Sequence, residues 1–262
     1  MPFAAAAAPQ EIKPPSALLL LLEARAPWEL AALWFASPWL RKLPRGDGHP
    51  VLVFPGLAAN DASTIPLRQI LTTLGYSAHP WANGFNRGPR AGVVEACADL
   101  ARKLHADSGR KVSLVGWSLG GLYAREVAKL CGDAARCVVT LGTPFAGPPK
   151  ANNAWRIYEL LSGQKIDATQ VPRAQLEVAP PVPTTSIYSR SDGIVAWRCS
   201  LNEAAPHTEN IEVVASHVGL GVNPLALLAL ADRLAQDPAH WRRFDRPAAL
   251  RWLMKHGPAR PA

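Results

Sequence analysis

The chain has 262 residues, 48% of them hydrophobic, with a formal net charge of +8 and an isoelectric point of about 9.6. That is enough apolar material for one full-sized α/β domain without a metal or disulfide staple. The basic residues are dispersed, from Arg41-Lys42 to Arg242-Arg243, and no zinc-finger, RNA-recognition or helix-turn-helix pattern is present, so nucleic acid is excluded as an expected partner.

In chain order, residues 1–15 are an Ala- and Pro-rich arm without the charged start of a signal peptide. Residues 16–43 read as apolar helices carrying Trp28, Trp34, Phe35 and Trp39, divided by Pro27 and Pro38. The leucine run here is ended by Glu23, Arg25 and Pro27, far short of a membrane span. Three fates fit this segment: packing on the domain, contact with a second copy, or peripheral docking on a membrane. The four cysteines, Cys97, Cys131, Cys137 and Cys199, form no C-x-x-C pair and read as thiols in a reducing compartment, with a Cys131–Cys137 bridge as the alternative. A cytoplasmic protein, with membrane association as an option, is the expectation.

Val51–Phe54 is a short, fully apolar strand. A helix follows, with Pro66 in its first turn and Gly75 at its end. Ser77–Trp81 reads as a strand and "NGFNRGPRAG" as a polar loop. That loop is either solvated or a phosphate cradle built on Arg87 and Arg90. An amphipathic helix spans 92–108, with Val93, Val94, Cys97, Leu100 and Leu104 on one face. A buried strand runs from Val112, and a helix begins at Leu119. Further strands are read at Cys137–Leu141, in "TTSIYSRS" and in "NIEVVAS". The last strong helix is capped by Asn223. Residues 143–183 interrupt the rhythm with prolines and a short apolar helix around Trp155, Tyr158 and Leu161.

Apolar strands alternating with helices specify a mostly parallel sheet covered on both faces. Reactive groups in such sheets lie just beyond the carboxyl ends of the strands. Four such ends offer Pro55-Gly56-Leu57, Ser118, Asp192 and His217. A serine hydroxyl needs an adjacent base to act as a nucleophile, and a histidine base needs a carboxylate to hold its tautomer. The backbone N–H groups of Leu119, at a helix start, and Leu57, after the first strand, are the expected oxyanion donors. Glycines at 116 and 120 admit a tight strand-turn-helix. Asp167 and Glu203 are the reserve acids and His207 the reserve base.

"GWSLGG", "LGTPFAG", "SRSDGIV" and "SHVGLG", in this order, resemble the nucleophile elbow, following strand end, acid turn and histidine loop of α/β-hydrolases of the bacterial lipase and carboxylesterase kind. The resemblance runs from about Val51 to Gln236. It implies a core of about six strands, with residues 1–50 as an arm and helices packed on it, 51–240 as the core and 241–262 as a tail. It also implies that the insert at 143–183 is a lid or pocket wall. Where many relatives have His-Gly after the first strand, this chain has Pro55-Gly56. The implied activity is hydrolysis of a hydrophobic carboxylic ester through an acyl-enzyme on Ser118, with no cofactor and a small-molecule partner. An acyltransferase with the same residues is one alternative, and a non-catalytic binding protein on a hydrolase scaffold is another.

Overall fold

The computed structural model describes residues 11–40, 42–163, 165 and 173–260. Its sheet is built from β1 (Pro50–Phe54), β2 (Ser77–Pro80), β3 (Val112–Trp117), β4 (Ala135–Leu141), β5 (Thr184–Tyr188), β6 (Thr208–Val213) and β7 (Met254–His256). The spatial order is β2-β1-β3-β4-β5-β6-β7, with every pairing parallel except β6 with β7. Successive side chains in a strand point to opposite faces. Val51 and Val53 therefore join one core layer while Leu52 and Phe54 join the other. Both faces need helices, which is why the central strands are apolar at almost every position.

One face carries α3 (Ile65–Thr73) and α8 (Pro224–Ala235), the other α4 (Val93–Ser108) and α5 (Leu119–Leu130). Asn223 caps α8 by accepting from the N–H groups of Leu225 and Ala226, and the helix buries Leu227, Leu230 and Leu234 almost completely. The insert contains α6 (Trp155–Ser162) and α7 (Arg173–Glu177). All four cysteines are buried thiols.

The fold departs from the expectations at two places. Pro27 and Pro38 do not divide the N-terminal helices. The chain runs as α1 (Ala17–Leu21), a 3₁₀ turn at Leu22–Arg25 and an unbroken α2 (Ala26–Leu40). Pro27 lies in the first turn of α2, where a missing N–H costs nothing, and Pro38 falls close enough to the end for α2 to tolerate it. The sheet also has seven strands rather than about six, because β7 lies within residues read as a tail. A buried cluster anchors that segment. Arg233 pairs with Glu209 at 2.6 Å and donates to the carbonyl of Arg242 at 2.7 Å, while the Phe244 N–H donates to Glu209 at 2.9 Å.

Candidate active site

The chain leaves β1, adds β2 on one side, then crosses back to place β3 on the other. That reversal opens a crevice at the carboxyl ends of β1 and β3. The loops carrying Leu57 and Ser118 flank it.

Ser118 has φ 53° and ψ −126°, a left-handed conformation that a non-glycine residue rarely adopts. Its N–H donates to the Leu141 carbonyl at 2.8 Å and its own carbonyl accepts from Gly121 at 3.0 Å, which holds the turn between β3 and α5. The turn also needs the absence of side chains. A Cβ on Gly120 would lie 2.3 Å from the Phe54 carbonyl oxygen, and one on Gly116 would lie 2.3 Å from Gly121 Cα.

The structure brings Ser118, His217 and Asp192 together. Ser118 Oγ lies 2.9 Å from His217 Nε2, and His217 Nδ1 lies 2.6 Å from Asp192 Oδ2. The other oxygen, Asp192 Oδ1, accepts from the N–H groups of Ile194 at 2.8 Å and Val195 at 2.7 Å. Those bonds leave Oδ2 directed at the imidazole. Asp192 and His217 are 3% and 5% exposed, so water does not compete for their contact. Burial disfavours the imidazolium, but the charge and hydrogen bond of Asp192, with a contribution from Glu23, outweigh it and raise the pKa of His217 above the usual histidine value. The array can therefore take a proton from the hydroxyl and hold the resulting cation.

A cavity of about 470 Å³ reaches Ser118 and is walled by Leu57, Leu119, Leu122, Phe145 and Val195. From the insert, Tyr158 is buried and lines the cavity, while Ile157 and Leu160 face outward, and Trp155 and Leu161 are not in the wall. Leu176, from α7, also lines it. The adjoining carbonyl of Glu177 is held by the buried Arg125 guanidinium at 3.0 Å. Of the reserves, Glu203 pairs with Arg260 and His207 lies in the loop before β6, both away from the array, and Asp167 lies outside the described residues. Among the described residues no cluster of three or more His, Cys, Asp or Glu is placed to hold a metal.

Two residues that bear on the site, Asn86 and Glu23, were not singled out for it in the sequence, whereas Trp117 lies inside the GWSLGG elbow beside the nucleophile. Asn86, fully buried in the loop expected to be solvated or phosphate-binding, donates to the Pro55 carbonyl at 2.9 Å. Its backbone also exchanges hydrogen bonds with Ala58 and Ala59 at 2.9 and 2.7 Å. Asn86 thus pins the Pro55-Gly56-Leu57 loop from outside it. Trp117 Nε1 donates to the carbonyl of His217 at 3.0 Å. Glu23 accepts from the N–H of His217 at 2.9 Å. Neither Asn86 nor Glu23 carries a local motif for its contact, because each partner is distant along the chain.

A second Ser-His-Asp relay shows that hydrogen bonding alone does not make a site. His49 Nε2 lies 2.8 Å from Ser113 Oγ and His49 Nδ1 lies 2.5 Å from Asp47. Ser113 is fully buried at the opposite end of β3 from Ser118, against Cys137. No acyl donor reaches a hydroxyl there.

No family model matches the chain, and a comparison with curated proteins gives no match. Solved structures do resemble it. Lipase B of Aspergillus fumigatus superposes with a TM-score of 0.54 at 20% identity over 74% of this chain, which spans 55% of that lipase. An α/β-superfamily hydrolase of Oenococcus oeni gives 0.50 at 18% over 73% of this chain and 94% of its own length. Naproxen esterase of Bacillus subtilis gives 0.51 at 13% over 74% and 86%. With the parallel sheet, the crossover at β1 and β3 and the strand-turn-helix at Ser118, these likenesses establish that the chain has the α/β-hydrolase fold.

Proposed function

We propose that the protein is a serine hydrolase that cleaves carboxylic esters with a hydrophobic acyl chain. The observation that carries this is the 2.9 Å contact of Ser118 Oγ with His217 Nε2, backed by Asp192, at the mouth of a largely apolar cavity. Ser118 attacks the ester carbonyl as its proton passes to His217 Nε2. The N–H groups of Leu57 and Leu119 stabilise the tetrahedral oxyanion. The intermediate collapses, the C–O bond to the alcohol breaks, and His217 returns the proton to the leaving oxygen. Water then attacks the acyl-enzyme as its proton passes to His217, the bond from the acyl carbon to Ser118 Oγ breaks, and His217 returns the proton to Oγ as the acid leaves. No cofactor enters these steps.

A cavity of about 470 Å³ falls within the usual range for small-molecule sites, and its Leu, Val and Phe walls favour an aliphatic or aromatic acyl group. In a chain-length series of p-nitrophenyl esters the wild type is expected to prefer octanoyl over acetyl. Ser118→Ala is expected to lose at least about 10⁴-fold in kcat and all labelling by a fluorophosphonate. Unchanged activity or labelling in that variant would refute the reading. Product analysis with water and a competing alcohol distinguishes hydrolysis from acyl transfer.

Two finer points belong to the same reading. The buried thiols suit a reducing, cytoplasmic setting. The outer face of the N-terminal helices exposes Leu18, Leu21, Trp28, Trp34 and Phe35, and its partner is an anionic lipid surface.

A further inference from the structure

We propose that Glu23 is a positioning residue of this site, clamping the histidine loop to the acid turn. The inference rests on the reading of Ser118, His217 and Asp192 as the hydrolytic residues. It starts from a mechanical problem. Asp192 and His217 follow neighbouring strands, β5 and β6, and Ala215 ties the bases of their loops together, accepting from Ser191 Oγ at 3.0 Å and donating to Ser189 Oγ at 3.2 Å. Beyond Ala215 the backbones of Gly193 and His217 need a further tie, because misplacement by a fraction of an ångström is costly in rate.

Glu23 spans the gap. Its Oε1 accepts from the N–H of Gly193 at 2.8 Å and from the N–H of His217 at 2.9 Å. Its Oε2 accepts from Val218 at 3.0 Å. One carboxylate oxygen therefore bridges the residue after the acid and the base itself. An ionised carboxylate is purely an acceptor, and three converging N–H donors suit it.

The surrounding segment is fitted to this grip. Residues 17–40 hold only three charged side chains, Glu23, Arg25 and Glu29, and all three turn toward these loops. Arg25 donates to the Ser191 carbonyl at 2.8 Å, and Glu29 accepts from Ser216 at 2.7 Å. Gly193 and Gly219 make room for the segment. A Cβ on Gly193 would lie 2.2 Å from the Leu19 carbonyl oxygen, and one on Gly219 would lie 2.0 Å from Glu29 Oε2.

The carboxylate also acts on the ring of His217. The charged groups facing that histidine are Asp192 from the β5 turn and Glu23 from the N-terminal segment, with Glu29 one residue away and paired to Arg25 at 3.3 Å. A nearby negative charge favours the imidazolium and raises the histidine pKa, so removing it moves that pKa down. Glu23 is not in the wall of the cavity, so substrate binding does not depend on it directly.

The test compares wild type, Glu23→Gln and Glu23→Asp in the full chain, with Ser118→Ala as reference. Glu23→Gln is expected to lower kcat by about 10- to 100-fold with KM changed less than about threefold. Its acid limb of kcat/KM should move to lower pH, and so should the titration of the His217 ring proton followed by NMR. Glu23→Asp keeps the charge, so it should keep the wild-type limb while losing part of kcat. Should Glu23→Gln not fold, a wild-type limb with reduced kcat in Glu23→Asp still supports the proposal, and wild-type kcat there overturns it. An unmoved kcat, acid limb and ring titration in Glu23→Gln also overturn it. If instead wild type hydrolyses no ester, or Ser118→Ala is as active as wild type, the hydrolase reading fails, and the ring titration still reports on the clamp.

Discussion

Asn86 illustrates how a single side chain can set the shape of a candidate active site from outside the Ser118–His217–Asp192 array. The Pro55-Gly56 turn must bring Leu57 beside Ser118, and it comes close: a Cβ on Gly56 would lie 3.3 Å from Ser118 Cβ. Pro55 supplies no N–H to hold the turn. The amide of Asn86 holds the Pro55 carbonyl instead, and its own Oδ1 accepts from Gly88 at 3.1 Å. Asn86→Ala removes both bonds in a fully buried setting. It is expected to lower stability by about 1–3 kcal/mol. It should also lower kcat/KM by about 10- to 100-fold by loosening the Leu57 N–H, the proposed oxyanion donor. Steady-state kinetics and denaturant unfolding measure the two effects, and retained fluorophosphonate labelling would show that Ser118 itself stays reactive. Ser118, Asp192 and His217 could be proposed from the sequence because each lies beyond the end of a strand, so element order places them at one edge of the sheet. Asn86 and Glu23 could not, nor could the bond from Trp117 in the elbow to the His217 carbonyl, because a hydrogen bond to a distant backbone group leaves no spacing to read.

At the scale of elements, periodicity revealed what burial enforces and missed what a few polar contacts enforce. β1, β3 and β4 are buried on both faces and announce themselves as apolar runs. β7 has three residues, only Met254 of them buried, which is too short to show an alternation. Its position depends on the Glu209–Arg233 cluster below it. Glu209 accepts from Arg233, from Thr185 Oγ1 at 2.9 Å and from the Phe244 N–H. Arg233 is 3% exposed and Glu209 7%. Removing one partner of such a pair strands the other charge in the interior. Arg233→Met is therefore expected to cost about 3–5 kcal/mol, and the double variant Arg233→Met/Glu209→Gln should recover part of that loss. Urea unfolding of the three proteins decides it. Equal stability of the single and double variants would mean that the pair's charges do not matter to the C-terminal segment.

The whole molecule separates its polar and apolar tasks around the N-terminal helices. Among the described residues no helix is long and apolar enough to cross a membrane, yet α1 and α2 leave a broad apolar surface. Trp28 and Trp34 are each 77% exposed and Phe35 is 88% exposed, while Leu33 and Ala36 face the core. Solvating that much aromatic surface is unfavourable, and such patches mark contact surfaces. Because Glu23, Arg25 and Glu29 are all drawn inward, no charge on the segment opposes contact with hydrocarbon. The excess of 28 Lys and Arg over 20 Asp and Glu then favours an anionic surface over a second copy of an equally basic chain. The protein is expected to co-float with phosphatidylglycerol-containing vesicles and to bind phosphatidylcholine vesicles less, with the difference shrinking as salt rises. Trp28→Ser/Trp34→Ser/Phe35→Ser should lose most of that binding while keeping ester hydrolysis in solution, since none of the three touches the cavity. Equal flotation of the triple variant would put the contact elsewhere. Conversion of a wild-type dimer to a monomer by the same substitutions, without vesicle binding, would assign the face to a second copy.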